Sequence, residues 1–342
     1  MEAKTPGKAR KTALTAASVL LIALAVLGIL LLNPLRTLAS FRKVDDFPLY
    51  TMRYYGRYDL GRYVQSLGLV GEARSREQAS SAGWACTCFA ALSDEGDLLF
   101  GRNFDWTTQS ALLLFTDPPD GYASVTIVDT TYFGLGKEEP ARAERIGLLA
   151  TPYLPFDGMN EHGLVVGMMA VPHAEPTRDP QNPTVTSLHV IRLMLDYAKN
   201  VDEALALLGE YNVDFMGGPS IHYLVADSSG DSAVVEFIGG QMHVIRNEQP
   251  WQVATNFVIT EANTQDAGTS CWRYQTAGEV LQEARGHLSP EEAMTLLRQV
   301  SQSSTKWSAV YDLTSGDIRV AMDRKYTQAN VFHLELLELK DE

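Results

Sequence analysis

Three cysteines in 342 residues, two of them a single residue apart, cannot build a disulfide framework. Cys86, Cys88 and Cys271 make an odd count. The Cys86-x-Cys88 spacing is too tight for ordinary zinc ligation, and no histidine pair follows it at finger distance. Neither a metal nor a cofactor is expected. Positive charge is also scarce once the chain passes Ala85. Up to that residue there are twelve Lys/Arg against six Asp/Glu; after it there are sixteen against thirty-six, within a total of −14. So acidic a surface argues against nucleic acid as a partner and for solubility, but it does not choose a substrate.

The chain does have one long uncharged run. Residues 1–12 are basic through Lys4, Lys8, Arg10 and Lys11, and Ala13–Leu32 then carries no charge. As a helix that run spans about the 30 Å of a bilayer core. It exceeds the roughly 7–15 apolar residues of a signal peptide, so a transmembrane anchor is expected, with Thr37-Leu38-Ala39 offering a rival cleavage site. Basic residues on both sides make the orientation bias weak. The expectation is a membrane-anchored protein with an extracytoplasmic catalytic domain, release after processing being the alternative. Residues 33–85 follow as a Tyr/Arg-rich membrane-proximal segment with five tyrosines and three arginines between Phe47 and Val64. Two readings fit it: an interfacial segment, or a basic strap lying over the acidic domain. Residues 71–83 read as an exposed loop leading to Ala85-Cys86.

From Trp84 to Trp106 the sequence reads as a hairpin. Cys86 opens an apolar strand, Ser93–Asp97 makes the turn, and Leu98–Phe100 leads into Gly101-Arg102-Asn103. A thiol on one strand then faces Arg102 and Asp105 on the next. A cation favours thiolate and an anion can orient a base, which are the needs of a nucleophilic cysteine.

Farther on, Ser124–Val128 and Gly147–Ala150 are expected as strands, then a turn at Asn160–Gly163 and a buried strand over Leu164–Met169. Ser187–Ala198 and Val201–Leu208 form a helix pair, the second capped by Asp202. Ile221–Ala226 and Ala233–Ile238 make a hairpin, with Met242–Ile245 as a third strand. Thr276–Ala284 is helical, and Ser289-Pro-Glu-Glu292 is a capping-box start to a helix through Val300. Ser308–Leu313, Asp317–Ala321 and Phe332–Leu339 complete a sheet. Strands before, between and after helix pairs point to a layered α+β protein.

Four segments of this chain, in this order, resemble the choloylglycine hydrolase and penicillin V acylase family, linear-amide hydrolases of the N-terminal nucleophile class. They are Cys86-Thr87 with Gly101-Arg102-Asn103-x-Asp105, Asp157-Gly-Met-Asn-Glu-x-Gly-Leu164, Thr255-Asn256, and Ser270-x-x-Arg273-Tyr274; the block from His222 to Glu236 also has a family counterpart. The resemblance, which covers Cys86–Leu339, implies an αββα four-layer sandwich for a domain over residues 86–342; the transmembrane helix expected before it lies outside the resemblance. The resemblance also implies that Cys86 becomes the first residue of a processed chain, with its own α-amine as base. Arg102 would support the thiolate and Asp105 the ammonium. Asn256 would donate to the oxyanion, and Arg273 would position the substrate. A further oxyanion contributor falls on Ala170, where bile-salt hydrolases carry asparagine and penicillin V acylases tyrosine; alanine leaves only its backbone N–H. Glu236 reads as a structural partner and His222 as an ordinary sheet residue.

The expected function is therefore cleavage of a linear, non-peptide C–N bond of a small N-acyl substrate through a thioester. The alternatives are acyl transfer to an amine, or a membrane-tethered binding protein on an inactive scaffold. A homo-oligomer stays open.

Overall fold

The computed structural model describes residues 28, 31–62, 85–93, 96–107, 110–136, 138–141, 143–215, 218–261 and 271–337. The apolar run Ala13–Leu32 lies almost wholly outside them. Among the described residues no helix is long and apolar enough to cross a membrane.

Two sheets carry the structure. The larger has nine strands in the order β1 (Arg42–Lys43), β2 (Leu49–Arg53), β5 (Ala111–Thr116), β6 (Ser124–Asp129), β7 (Asp157–Asn160), β8 (Val165–Ala170), β11 (Ile221–Ala226), β12 (Ser232–Ile238), β13 (Gln241–Arg246). The smaller has six, in the order β14 (Trp251–Ala254), β3 (Ala85–Ala91), β4 (Leu99–Asp105), β15 (Thr305–Asp312), β16 (Asp317–Met322), β17 (Asn330–His333). A short parallel pair, β9 (Thr184–Thr186) with β10 (Asn212–Asp214), stands apart. Helices α1 (Ser187–Tyr197) and α2 (Val201–Leu208) serve the larger sheet, α1 packing on β7 and β8. Helices α3 (Trp272–Glu283) and α4 (Pro290–Gln299) cover the smaller one. The layers run helix, sheet, sheet, helix.

Strand alternation explains where the thiols go. On β3, Phe89 and Ala91 face outward into a core with Leu281, Leu296 and Leu297 of the covering helices. Cys86, Cys88 and Ala90 face the other way, into the core between the sheets, with Phe100 and Phe104 of β4. Because helices cover one face and a sheet the other, β4 and β8 are buried along their whole lengths. The sheets come so close at β8 that Gly167 has no room for a side chain: an added Cβ would lie 2.9 Å from Cys88 Sγ and 3.0 Å from the Phe100 ring. Gly167→Ala is expected to lower stability by about 1–3 kcal/mol through overpacking, read as a fall in melting temperature.

Several expectations change. Gly147–Ala150 is not a strand but part of a 3-10 helix, Glu144–Tyr153. Its buried residues Leu148 and Thr151 recur every third position, and Pro152 cannot donate to a ladder. Helix α2 is capped by Asn200, whose Oδ1 accepts the Glu203 N–H at 2.9 Å. Asp202 is instead the second residue of the helix and pairs with Arg246. The last strand ends at His333, while residues 338–342 lie outside the described residues. The Ser289–Glu292 capping box forms as expected.

The largest difference concerns the Tyr/Arg-rich segment, which enters the larger sheet. β2 pairs with β5 in parallel, from Leu49 opposite Ala111 to Arg53 opposite Phe115. Leu49, Tyr50 and Met52 are buried, and Phe41 stacks on Tyr50. Farther along, Tyr58 is 6% exposed and donates through its hydroxyl to Asp196 at 2.6 Å, and Asp196 is paired with Arg192 at 2.7 Å inside α1. Arg57 reaches Asp120 at 2.9 Å. The composition that suggested an interface instead supplies amphipathic side chains to a sheet edge and its flank.

Candidate active site

The site forms where the start of β3 meets the ends of β4, β8 and β14 and the first turn of α3. β3 and β4 pair antiparallel with Ala85 opposite Asp105 and Cys88 opposite Arg102. Register alone therefore brings Cys86 beside Arg102 and Asp105. Arg102 lies between the two thiols, Nη2 at 4.0 Å from Cys86 Sγ and Nη1 at 3.7 Å from Cys88 Sγ. Its Nη1 also donates to the Met168 carbonyl of β8, and its Nε pairs with Asp157 at 2.7 Å; both charged side chains are fully buried. Asp157 in turn accepts from Trp307 Nε1 at 3.1 Å and from the Tyr311 hydroxyl.

Burial governs both thiols. Cys86 is 1% exposed, and desolvation pushes its thiol up by more than Arg102 draws it down. Burial pushes Cys88 up to about 12. In the uncut chain both therefore rest as neutral thiols, and the Cys86 sulfur needs a base to become a nucleophile.

Asp105 is held by β15. Its carboxylate accepts from Thr305 Oγ1 and from Gln302 Nε2 at 3.0 Å, with Arg273 Nη1 at 3.9 Å. Burial raises its pKa despite those hydrogen bonds. The Cys86 nitrogen donates to Asn256 Oδ1 at 2.7 Å. That oxygen also accepts from Arg273 Nη2 at 2.8 Å, while Asn256 Nδ2 donates to the Ala170 carbonyl at 2.7 Å. Two donors on the oxygen side and an acceptor on the nitrogen side fix the amide's orientation. The second N–H of Nδ2 stays available for a substrate oxygen. Arg273 completes the group by donating to the Cys86 carbonyl and to Thr87 Oγ1 at 3.0 Å.

The six residues read from the sequence are thus brought together around Cys86, Arg102 at its sulfur, Asn256 at its nitrogen, Arg273 at its carbonyl, Asp105 on the neighbouring strand and Ala170 through Asn256. What the sequence reading missed is their support: Asp157 as counter-ion of Arg102, Thr305 and Gln302 on Asp105, and Thr87 under Arg273. Asp157 carried one signal, its place at the head of the Asp157–Leu164 segment that resembles the family. Gln302 and Thr305 carried none. His222 is not an ordinary sheet residue, since both of its ring nitrogens are engaged. Glu236 does serve as its partner. Among the described residues no group of three or more His, Cys, Asp or Glu could hold a metal ion.

Known proteins resemble this chain in sequence and in fold. The acyl-coenzyme A:6-aminopenicillanic acid acyl-transferase family matches residues 151–323. A bile salt hydrolase/transferase of Bifidobacterium longum subsp. longum is 30% identical over 169 residues, covering 46% of this chain and 51% of the relative. A penicillin V acylase of Pectobacterium atrosepticum is 27% identical over 195 residues, covering 52% and 50%. The chain spans about half the length of each relative. Among solved structures, penicillin V acylase from Agrobacterium tumefaciens superposes with a TM-score of 0.51 at 20% identity, covering 72% of this chain and 85% of that one. A mutant of conjugated bile acid hydrolase from Clostridium perfringens gives 0.53 at 16%, covering 73% and 92%. Those two likenesses establish a fold of mixed α+β sheets of the kind found in that penicillin V acylase and that conjugated bile acid hydrolase. With the family match spanning half of the sequence, the chain belongs to the acyl-coenzyme A:6-aminopenicillanic acid acyl-transferase family, alongside the choloylglycine hydrolases and penicillin V acylases it resembles.

Proposed function

We propose that this chain is a cysteine amidohydrolase that cleaves a linear, non-peptide C–N bond of an N-acyl substrate, after a cut between Ala85 and Cys86 frees the α-amine. The observation that carries the reading is the convergence of Arg102, Asp105, Ala170, Asn256 and Arg273, from three further strands and a helix, on the sulfur and nitrogen of Cys86.

The chemistry is acyl transfer in two halves. The freed α-amine, with an ordinary pKa of about 7.7–8.0, takes the thiol proton as the sulfur attacks the acyl carbon. Charge developing on the substrate oxygen is received by the second Nδ2–H of Asn256 and the Ala170 N–H. The proton then passes to the leaving nitrogen, the C–N bond breaks, and the acyl group stays on sulfur as a thioester. Water gives its proton to the same amine and attacks the thioester, which returns the thiol and releases the acid. Arg102 offsets negative charge on sulfur, Asp105 acts on the ammonium through its surroundings, and Arg273 holds Asn256 and the Cys86 carbonyl in place.

N-terminal sequencing or mass analysis of purified protein tests the cut: an active enzyme whose Cys86 is still internal overturns it. A panel of N-acyl substrates then defines the acyl group and the leaving amine. Acyl transfer is the second reading, favoured by the description of the matched family. It predicts that added amine competes with water for the thioester and yields a new amide.

The cut is expected to separate the chain without dispersing it. β2 is an internal strand and Tyr58 is buried against α1, so the piece before Cys86 and the piece from Cys86 onward should co-elute in gel filtration and part only in denaturant. Elution of residues 86–342 alone under native conditions would contradict this. The proposal also keeps the enzyme at a membrane through residues 13–32, with its catalytic part on the extracytoplasmic side and retained there after the cut. Leu31, Leu32 and Leu35, on helical residues 31–40, are apolar side chains 46%, 53% and 62% exposed. Carbonate extraction of full-length protein into the soluble fraction counts against the anchor.

A further inference from the structure

Asn256 lies at the end of β14, and what fixes the backbone around it is a buried pair on the other sheet. His222 of β11 and Glu236 of β12 are 1% and 2% exposed. His222 Nδ1 is 3.1 Å from Glu236 Oε1, and Nε2 is 2.7 Å from the carbonyl oxygen of Thr255, the residue directly before Asn256. Glu236 then takes the other end of the turn: Oε1 accepts the Ile259 N–H at 2.7 Å and Oε2 the Thr260 N–H at 2.9 Å. The five residues from Thr255 to Ile259 are therefore pinned on both flanks by one dyad. Burial alone would raise Glu236, but hydrogen bonds from His222 and Thr260 bring it down to about 2. His222 also lies on the strand that pairs with β8, one position from the Ile221–Ala170 match.

We infer that His222 and Glu236 are positioning residues that hold Asn256 at the oxyanion site, acting on the reaction through that one amide. The inference rests on the amidohydrolase reading for its kinetic consequence, but not for its geometric one. Nothing in it requires either side chain to touch substrate. A residue that acts only through Asn256 cannot matter once Asn256 is gone.

The experiment is a double-mutant cycle on the full chain, with N-acyl aminocoumarin amides as fluorogenic probes. His222→Ala is expected to lower kcat about tenfold or more, and by no more than Asn256→Ala, whose loss should be about 10²–10³-fold. KM should move little. The double variant should be no slower than Asn256→Ala alone, and His222→Gln, which keeps a donor toward Thr255, should recover most of the turnover. Losses that multiply, or wild-type turnover in His222→Ala, overturn the inference. Hydrogen exchange provides the readout that does not depend on any substrate. In Glu236→Ala and His222→Ala, amides over residues 255–261 should exchange faster while β3 and β4 stay protected, and His222→Gln should exchange close to the wild-type rate. If none of the probes is hydrolysed, the amidohydrolase reading fails separately, and unchanged exchange over residues 255–261 still overturns the positioning role.

Discussion

Cys86→Ala is expected to reduce amide hydrolysis by about 10⁴-fold or more, because it removes the atom on which the thioester forms. If the chain processes itself with the same sulfur, Cys86→Ala should also stay uncut, at its full 37.7 kDa. The fold should survive: the side chain is small, fully packed, and bonded to the rest of the site mainly through its backbone nitrogen and carbonyl, which alanine keeps. Cys88→Ala is the necessary partner experiment. Cys88 shares the inner face of β3 and touches the same guanidinium, so distance to Arg102 does not single out the nucleophile. Position does. Only Cys86 has its nitrogen beside Asn256 and its carbonyl under Arg273. Cys88→Ala should therefore stay within a few-fold of wild-type turnover. An inactive Cys88→Ala with an active Cys86→Ala would move the chemistry two residues along and sink the assignment.

The second large effect is on stability. Asp157→Ala is expected to cost about 3–5 kcal/mol, a substantial part of the roughly 5–15 kcal/mol that holds a typical domain together. The reason is what it leaves behind: a guanidinium at 0% exposure whose opposite charge, 2.7 Å away, has gone, together with a Trp307 N–H and a Tyr311 hydroxyl that lose their acceptor. The midpoint of urea unfolding measures it, with the slope unchanged if only stability moves. Asp157→Leu combined with Arg102→Met separates charge from function. The apolar pair should regain most of the lost stability while turnover stays low, because no cation then faces the sulfur. If Asp157→Ala unfolds at the wild-type midpoint, Arg102 has another counter-charge and the network described around it is incomplete.

How much of this was readable beforehand depended on how far apart the partners lie along the chain. The β3–β4 hairpin was legible because its thiol, its turn and its Arg102–Asp105 end fall within one local pattern of alternation. Asn256 and Arg273 come from distant segments, and only resemblance connected them to Cys86. Asp157 sat inside a quoted motif, yet nothing local indicated that its charge would meet Arg102 from the opposite sheet. His222 looked like any strand residue because its acceptor is a backbone carbonyl 33 residues away. Local pattern also misled. Gly147–Ala150 reads as a short apolar strand, but burial every third residue makes it a 3-10 turn. The tyrosines and arginines before the hairpin suggested a bilayer interface, and tertiary packing used them instead to seat an internal strand.

That strand has a consequence for making the protein. A recombinant version beginning at Cys86 would emerge with the β5 edge bare, offering Leu112, Leu113 and Leu114 and an open row of backbone groups to any neighbouring molecule. Such a product should form inclusion bodies, and coexpressing residues 1–85 as a separate polypeptide should restore soluble material. The leader then works as a folding template that the finished enzyme never discards.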